Sequence, residues 1–382
     1  MTTSTALPAL DEIARILRAN ADRADRDAVL PEENLSVLRE SGLLALLVPT
    51  GHGGLGGDLS DVAATARTLA GSCLSTALVW AMHISQTEAL LRFAGPGLRA
   101  HLLPRLTSGR LYLASVTTET GRGSGLFTAL TPLTTHDGVV RFTGRQAPVV
   151  TGGRHADGFL ITLRSAPDAA PGSVSLVYAD RADLRLSTVG GWDPLGMRGT
   201  ESRGLLLSGA VPAHHIVGDP GGFGDIARES MVPTAHIGWA ACWLGAAHAG
   251  FAALLGDLRG AGTPPGEVAR ERLARIRVDL DLASTYLNRV VEFAEDARRH
   301  GESLSTPLAQ IRLNSLKLAV SETAARIAEA LLRATGMTGY ANRPEVARLH
   351  RDLSSAPLNH SNDRMWPATG ALTLLDPTVR LL

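Results

Sequence analysis

Residues 113–157 bring together side chains and backbone groups that suit a flat polar ring. A run of small and hydroxyl residues at 115–119 is followed by a glycine-rich turn at 121–125 and by a second turn at 151–153. Glycine lets another molecule approach the backbone closely, and exposed N–H groups beside Ser and Thr hydroxyls can bind ring carbonyls and ring nitrogens. Glycine-rich turns are weak signals by themselves, so two tight turns in a β-rich domain are the alternative interpretation.

Three other features could carry chemistry, and each has a structural alternative. The glycine run 51–57 resembles a phosphate-binding loop, but only helices follow it, and a dinucleotide site needs a strand, a turn and a helix. His83 lies in an apolar helical segment, where a hydrogen-bonded core histidine is the alternative to a functional one. The pair His214 and His215 has no third residue at metal-ligand spacing. The sequence therefore predicts no metal site.

Hydrophobic periodicity changes twice along the chain and predicts three regions that must position these residues. Residues 1–112 carry apolar side chains at helical spacing, which predicts an N-terminal helical domain. Residues 113–222 contain short runs rich in Val, Leu, Thr and Phe between Gly, Asp and Pro, which predicts a middle antiparallel β-barrel. Residues 223–382 return to helical spacing and predict a C-terminal bundle. The predicted fold class is α+β, mostly α.

Composition limits the partners. The 382 residues include 37 basic and 37 acidic side chains, so the formal net charge of +0 argues against nucleic acid or an anionic membrane as the main partner. The N-terminus lacks the features of a signal peptide, and Cys73 and Cys242 lie in apolar helical surroundings. We therefore expect a cytoplasmic protein without a disulfide framework or a membrane span. Lys317 is the only lysine, so nearly every other fixed cation is an arginine.

Three sequence blocks resemble the flavin-binding segments of the acyl-CoA dehydrogenase superfamily. The turn at 118–124 is similar to the family's T-E-x-x-x-G-S, the turn at 149–157 to its W-I-T-N-G-x-x-A-D, and the run 192–202 to its W-x-x-L-G-M-R-x-T-x-S. The resemblance covers nearly the whole chain. It implies an acyl-CoA dehydrogenase-like fold with a C-terminal four-helix bundle, and a flavin cofactor, FAD or FMN. The residues that it implies for flavin binding are Thr117, Thr118, Gly123, Ser124, Val150, Thr151, Gly152 and Thr200.

The chain departs from the dehydrogenase pattern at the catalytic base. Family dehydrogenases remove an α-proton with a Glu that follows an R-D pair, whereas residues 358–361 read L-N-H-S here. A minority carry the Glu on the first helix after the barrel, where this chain has Ala235, and Glu229 comes too early unless the helix register differs.

The flavin-binding motifs also differ from the family at two places. The aromatic residue of the second turn is Val149 here. The motif that grips the FAD pyrophosphate is absent, so FMN stays an alternative to FAD.

One branch of the superfamily keeps the fold without the base Glu. It consists of the two-component flavin monooxygenases of the dibenzothiophene and hydroxyphenylacetate type, which take reduced flavin from a separate reductase and form a C4a-hydroperoxide with O2. Their pockets carry histidines at two places that correspond to His83 and His360. The resemblance therefore implies a monooxygenase of natural-product biosynthesis that acts on a small-molecule or carrier-bound substrate. It also implies His83, His360 and Ser124 as catalytic residues and a homodimer or homotetramer as the assembly.

Two other functions stay open at this point. The first is an FAD-dependent dehydrogenase of acyl-CoA or acyl-carrier-protein substrates with an unusual base, His360 or Glu229. The second is a flavin-binding homologue that has lost catalysis, which the largely intact flavin turns disfavour.

Overall fold

The computed structural model describes residues 10–121, 125–262, 264–340, 344–359 and 361–376. Along these residues the chain forms helices, then strands, then helices again. The first group of helices is α1 Leu10–Asp27, α2 Glu32–Glu40, α3 Leu59–Ala70, α4 Leu74–Phe93 and α5 Pro96–Thr107. The strands are β1 Leu113–Val116, β2 Thr134–His136, β3 Val139–Ala147, β4 Gly158–Arg164, β5 Val174–Asp180, β6 Leu184–Val189, β7 Gly204–Pro212 and β8 Ile216–Val217. The second group of helices is α6 Phe223–Ile226, α7 Val232–Gly260, α8 Glu267–Arg299, α9 Pro307–Tyr340, α10 Pro344–Ser354 and α11 Asn362–Thr373.

The helix α4 is central to the N-terminal region. Nearly all of its side chains are buried, because α3 and α7 pack against it, and an apolar surface on all sides is typical of a core helix. The neighbouring α3 begins at a capping box. The Asp58 carboxylate accepts from the N–H of Asp61, and the Asp61 carboxylate accepts from the N–H of Asp58. The glycine run before Asp58 therefore leads into a helix, as predicted, and lacks the strand–turn–helix arrangement of a dinucleotide site.

Two four-stranded sheets form the middle region. One has the strand order β1-β4-β5-β8 and the other the order β2-β3-β7-β6. Every pair is antiparallel except β1 with β4, which run parallel with Leu113 opposite Gly158. The prediction of a wholly antiparallel barrel misses this pair. The long connection through β2 and β3 is what allows the chain to return and enter β4 in the same direction as β1.

Three long helices, α7, α8 and α9, pack together in the C-terminal region, and α10 and α11 lie against α9. The stretch Phe223–Gly260 is long and apolar enough to cross a membrane by length and composition, yet 67% of its most apolar window is buried inside the molecule. It is thus packed as a core helix, in agreement with its apolar sequence. The order of helical, sheet and helical regions confirms the predicted fold class, α+β and mostly α.

Candidate active site

The second predicted flavin turn is held by the third sequence block. The N–H of Gly152 donates to the carbonyl of Thr200 at 2.9 Å, and the hydroxyls of Thr200 and Ser202 lie 2.7 Å apart. Ser202 Oγ donates to Thr151 Oγ1 at 3.1 Å. Because Thr151 accepts this bond, its own hydroxyl hydrogen can be donated to a ligand. Thr151, Gly152 and Thr200 are therefore brought together as predicted, while the Val150 side chain is buried beneath the turn.

The first predicted turn lies against the second. Thr118 Oγ1 donates to the carbonyl of Val149 at 3.4 Å, and Thr117 Oγ1 lies 3.2 Å from Ser115 Oγ. Thr117 and Thr118 are partly exposed. The other two residues predicted in this turn, Gly123 and Ser124, lie outside the described residues.

Arg145 fixes the backbone of the first turn, and sequence reasoning did not single it out. Its side chain is fully buried and donates to the carbonyl of Thr118 at 2.9 Å and to that of Val116 at 3.3 Å. Burial lowers the pKa of its guanidinium to about 10, so the group stays charged at neutral pH. The Glu119 carboxylate lies 3.8 Å away and accepts the N–H groups of Leu130 and Thr131. Glu119 therefore anchors the following loop.

Gly152 occupies a place that admits only glycine. Its φ of 60° is left-handed, and a Cβ atom there would lie 2.3 Å from the hydroxyl oxygen of Tyr112. Tyr112 in turn donates its hydroxyl to the carbonyl of Thr151 at 3.2 Å. Asp157, at the end of the same turn, accepts from the N–H of Tyr112 and from Arg39 of α2, both at 2.7 Å. These bonds tie the second turn to the start of β1 and to α2.

A buried carboxylate at Glu201 supports the same turn from the other side. It accepts from His155 Nε2 at 3.0 Å, from Arg154 at 3.1 Å and from the N–H of Leu30 at 3.3 Å. Although burial alone raises the pKa of this carboxyl, these hydrogen bonds outweigh burial and lower it to about 2. Glu201 also has a left-handed φ of 44°. It borders a cleft of about 680 Å³ between α2 and the turn.

The C-terminal helices reach the flavin turns through Asp352. Its Oδ1 accepts from the N–H of Met197 at 2.5 Å, and the carbonyl of Met197 accepts from Thr200 Oγ1 at 2.8 Å. Gly196 packs directly on the end of α10, where an added Cβ would lie 2.1 Å from the carbonyl oxygen of Arg351. A chain of hydrogen bonds therefore runs from Asp352 through Thr200 and Ser202 to the second turn.

His83 is placed as a structural histidine. Its Nδ1 accepts from the N–H of Leu113 at 3.0 Å, so its Nε2 carries the hydrogen and donates to the carbonyl of Leu44 at 2.9 Å. The ring is fully buried, and this burial lowers its pKa to about 4. Both nitrogens are thus engaged by backbone groups, which argues against the predicted proton-handling role. His83 instead positions the start of β1, the strand that leads into Thr117.

The places where the family carries its base hold no carboxylate among the described residues. Ala235 is buried at one, and Leu358 and Asn359 stand at the other, with the Leu358 side chain 84% exposed. Glu229 is occupied elsewhere: it accepts the N–H groups of Leu304 and Ser305 at 3.1 and 3.2 Å and the hydroxyl of Ser303. Although burial acts in the opposite sense, these bonds lower the pKa of the Glu229 carboxyl. His360 lies outside the described residues.

The remaining candidates are structural. The His215 ring is buried and stacks on His101 at a centroid distance of 5.8 Å, and His101 Nε2 lies 2.8 Å from Asp180 Oδ2. In the part of the chain that the structure describes, no group of three or more His, Cys, Asp or Glu could hold a metal ion. Arg198 donates to the carbonyl of Asp25 at 2.6 Å and so braces its turn against α1.

These residues fit a flavin ring. Hydroxyls that can donate or accept line two adjacent turns, and the left-handed glycine at 152 removes the side chain that would block close approach. Val149 is 46% exposed and would offer an aliphatic contact where the family has an aromatic one. Thr117, Thr118, Thr151 and Gly152 would hold the ring. The set suits FAD and FMN equally, because every part of it addresses the ring they share.

Comparisons with known proteins identify the family. Two family models match the chain, the acyl-CoA dehydrogenase N-terminal domain over residues 10–110 and the acyl-CoA dehydrogenase C-terminal domain over residues 230–358. Among curated proteins, the chain is 26% identical over 371 residues to the amino sugar nitrososynthase DnmZ of Streptomyces peucetius. That alignment covers 93% of this chain and 88% of DnmZ.

Two solved structures illustrate the fold. The dibenzothiophene monooxygenase TdsC from Paenibacillus sp. A11-2, in its complex with FMN and indole, has a TM-score of 0.84 and 21% identity over 96% of each chain. The acyl-CoA dehydrogenase from Geobacillus kaustophilus has a TM-score of 0.84 and 20% identity, also over 96% of each chain. As the three sequence blocks predict, the chain belongs to the acyl-CoA dehydrogenase superfamily.

Proposed function

We propose that this protein is a flavin-dependent monooxygenase that uses reduced flavin and O2 to oxygenate a small organic substrate in natural-product biosynthesis. The observation that carries the proposal is the missing base. Among the described residues, neither Ala235 nor the pair Leu358 and Asn359 offers a carboxylate, and the Glu229 carboxylate binds the loop at 303–305. A dehydrogenase needs such a group to remove the α-proton of its substrate, whereas oxygenation does not.

The amine nitrogen of an amino sugar is the substrate group that we favour. DnmZ is named an amino sugar nitrososynthase, and its alignment spans nearly this whole chain. In the overall reaction R–NH2, O2 and reduced flavin give R–NHOH, water and oxidised flavin. One oxygen atom enters the new N–O bond, and the two electrons and two protons of the flavin reduce the other oxygen atom to water. The flavin supplies the electrons and the activation of O2.

The chain's own residues orient the reactants in this scheme. The hydroxyl of Thr151, which accepts from Ser202, donates to the ring, and the partly exposed Thr118 lies beside it. Ser124 and His360 hydrogen-bond the reacting oxygen and exchange its proton. His83 enters the proposal as a positioning residue that holds β1. A separate flavin reductase supplies the reduced cofactor, and the protein works in the cytoplasm as a homodimer or homotetramer.

Oxygen-isotope labelling tests the proposal. The protein is loaded with reduced FMN or FAD without air, mixed with ¹⁸O2 and glucosamine, and the sugar is analysed by mass spectrometry. We expect a product that carries one ¹⁸O atom. Reduction of the bound oxidised flavin by butyryl-CoA without O2 would instead identify a dehydrogenase. Flavin binding without either reaction would favour a homologue that has lost catalysis, and failure to bind either flavin would exclude both enzymatic functions.

A pair of variants tests the cofactor site separately. Thr151→Val removes a donor to the ring and should weaken flavin binding by about tenfold, the effect of one lost hydrogen bond. Thr143→Val changes an exposed threonine of β3 and should leave the dissociation constant unchanged. Equal flavin affinities for the two variants, measured by quenching of flavin fluorescence, would exclude Thr151 from the site.

A further inference from the structure

Three hydroxyl groups form a continuous chain behind the second turn. Thr200 Oγ1 lies 2.8 Å from the carbonyl oxygen of Met197 and 2.7 Å from Ser202 Oγ. Ser202 Oγ in turn lies 3.1 Å from Thr151 Oγ1. Thr200 and Ser202 are buried, with 2% and 4% of their surfaces exposed, whereas Thr151 is half-buried. The chain therefore begins in the interior of the protein and ends at a residue predicted to meet the flavin ring.

The bonds of this chain depend on one another, because each hydroxyl has only one hydrogen to donate. If Thr200 donates to the Met197 carbonyl while Ser202 donates outward to the turn, no hydrogen is left between the two hydroxyls. Their separation of 2.7 Å is that of an O–H···O bond, and two oxygens this close repel each other without a hydrogen between them. With every hydrogen bonded, both hydroxyl contacts are satisfied only if the three hydroxyls donate in the same direction along the chain.

Two directions are available, and they give Thr151 opposite roles. In the inward direction, Thr151 donates to Ser202, and the hydrogens of Ser202 and Thr200 point towards the interior, so Thr151 offers lone pairs to a ligand. In the outward direction, Thr200 donates to Ser202 and Ser202 donates to Thr151, so Thr151 offers a hydrogen. The Met197 carbonyl has a donor in both cases, because it also accepts from the N–H of Thr200 at 3.0 Å. We therefore expect the two directions to be close in free energy.

The edge of a flavin ring changes its hydrogen-bonding groups when the ring is reduced. Ring nitrogens that accept hydrogen bonds in the oxidised form carry hydrogens in the reduced form and then donate. A backbone N–H can only donate, so a site built from such groups favours one form. A hydroxyl whose chain can reverse makes a satisfied bond with either form. The proposed reaction needs both forms, because reduced flavin enters the site and oxidised flavin remains after each turnover.

We propose that the hydroxyls of Thr200, Ser202 and Thr151 form a reversible chain, through which Thr151 donates to the oxidised ring and accepts from the reduced ring. This inference rests on the flavin site of the proposed function. Thr200 and Ser202 act in it as positioning residues, because they reach the ring only through Thr151. The inner end of the chain is essential to the reversal, since in the inward direction Ser202 needs Thr200 as its acceptor.

Removal of the inner hydroxyl should lock the chain in the outward direction. In Thr200→Val the side chain keeps its shape without the hydroxyl, so Ser202 donates to Thr151, and Thr151 presents its hydrogen to the ring. We expect the dissociation constant of reduced FMN to rise about tenfold more than that of oxidised FMN, the effect of one unsatisfied hydrogen bond. A tenfold change of this kind lowers the midpoint potential of bound FMN by about 30 mV. Quenching of flavin fluorescence gives the oxidised dissociation constant, and reduction without air beside a reference dye gives the potential.

Three further variants separate the hydrogen-bond chain from packing. Thr200→Ser loses a methyl group but keeps the hydroxyl, so it should retain the wild-type potential. Ser202→Ala removes the middle hydroxyl and should lower the potential as Thr200→Val does, which provides a second test if Thr200→Val does not fold. Thr65→Val changes a buried threonine of α3 and should leave the potential and both affinities unchanged.

The outcomes for the two proposals can be told apart. Equal changes in the affinities for oxidised and reduced FMN in Thr200→Val and Ser202→Ala, or unchanged potentials, would overturn the reversible chain even if ¹⁸O is incorporated. A similar fall of the potential in Thr200→Ser would assign the effect to packing and would also overturn it. The expected shifts in potential without a labelled product would remove the monooxygenase proposal and support the chain. A wild-type protein that binds neither FMN nor FAD would reject both.

Discussion

Replacing His83 with Gln should remove a defined part of the pH dependence of stability. The histidine is neutral in the folded protein because burial lowers its pKa from 6.5 to about 4. The unfolded chain binds a proton near pH 6.5, and the folded chain binds it only near pH 4. Unfolding therefore takes up a proton within this window. The stabilisation is complete above pH 6.5 and is lost progressively as the pH falls towards 4.

The size of this stability difference follows from the folded and unfolded pKa values of His83. A difference of about 2.5 pKa units corresponds to about 3 kcal/mol of folding free energy between pH 7 and pH 4. At pH 7, His83→Gln leaves the N–H of Leu113 or the carbonyl of Leu44 without its partner, and we expect a loss of about 1–3 kcal/mol. The variant should thus be less stable than the wild type at pH 7 and should approach or exceed it at pH 4.

Urea unfolding at several pH values measures this difference. The free energy of unfolding is plotted against pH for the wild type, for His83→Gln and for the control His52→Gln, which changes an exposed histidine. The control should follow the wild type, and the His83→Gln curve should be flatter by about 3 kcal/mol over the window. Parallel curves for the wild type and His83→Gln would refute the assignment of His83 as a buried neutral histidine.

Three further predictions concern other parts of the molecule. Glu201→Gln should lower the free energy of unfolding by about 3 kcal/mol at pH 7. The difference from the wild type, measured by urea unfolding, should shrink as the pH falls from 4.5 towards 2, and a constant difference would contradict the lowered pKa of Glu201. Gly152→Ala should weaken flavin binding and lower the melting temperature, because its Cβ would displace the Tyr112 hydroxyl. Gly256→Ala on α7, where no atom lies within 4 Å of an added Cβ, should do neither. Equal effects of the two substitutions would exclude the close contact between residue 152 and Tyr112. Lys317→Met should remove a rise in the stability of the wild type between pH 7 and pH 10.5, because burial lowers the pKa of the Lys317 amine from 10.5 to about 7 in the folded protein; parallel curves of unfolding free energy against pH for variant and wild type would contradict the lowered pKa.

The sequence predicts the helical, sheet and helical regions and the presence of the two turns because these signals are local. Periodicity over a few residues identifies helices and strands, and the glycines and hydroxyls of the second turn lie close together in the chain. Arg145 escapes this reasoning because a β-bulge between Phe142 and Arg145 shifts the alternation of β3. Without the bulge, Gly144 and Gln146 would face the core with Phe142, and Arg145 would face solvent. The left-handed φ of Gly144 is the feature that allows the shift.

The roles of the histidines and acids depend on contacts that are distant in the chain. His83 binds backbone groups 39 and 30 residues away, and Glu229 binds a loop more than 70 residues away. No local pattern distinguishes these partners from solvent or from a substrate. The carboxylate of Glu229 is a base candidate by residue type alone, and only the position of the 303–305 loop excludes it. The ring that lies over the Lys317 amine likewise comes from a distant part of the chain, Trp239 of α7.

The hydrogen bond from Met197 to Asp352 makes one of the turns depend on a part of the chain that is synthesised much later. The turns predicted to hold the ring come early in the chain, yet their bracing through Thr200 ends on Asp352, which follows Gly152 by 200 residues. Until α10 has left the ribosome, those turns lack this support. We therefore expect flavin to bind only after α10 has packed against Gly196 and Met197. A nascent chain stalled before α10 should emerge as an apoprotein even where flavin is abundant.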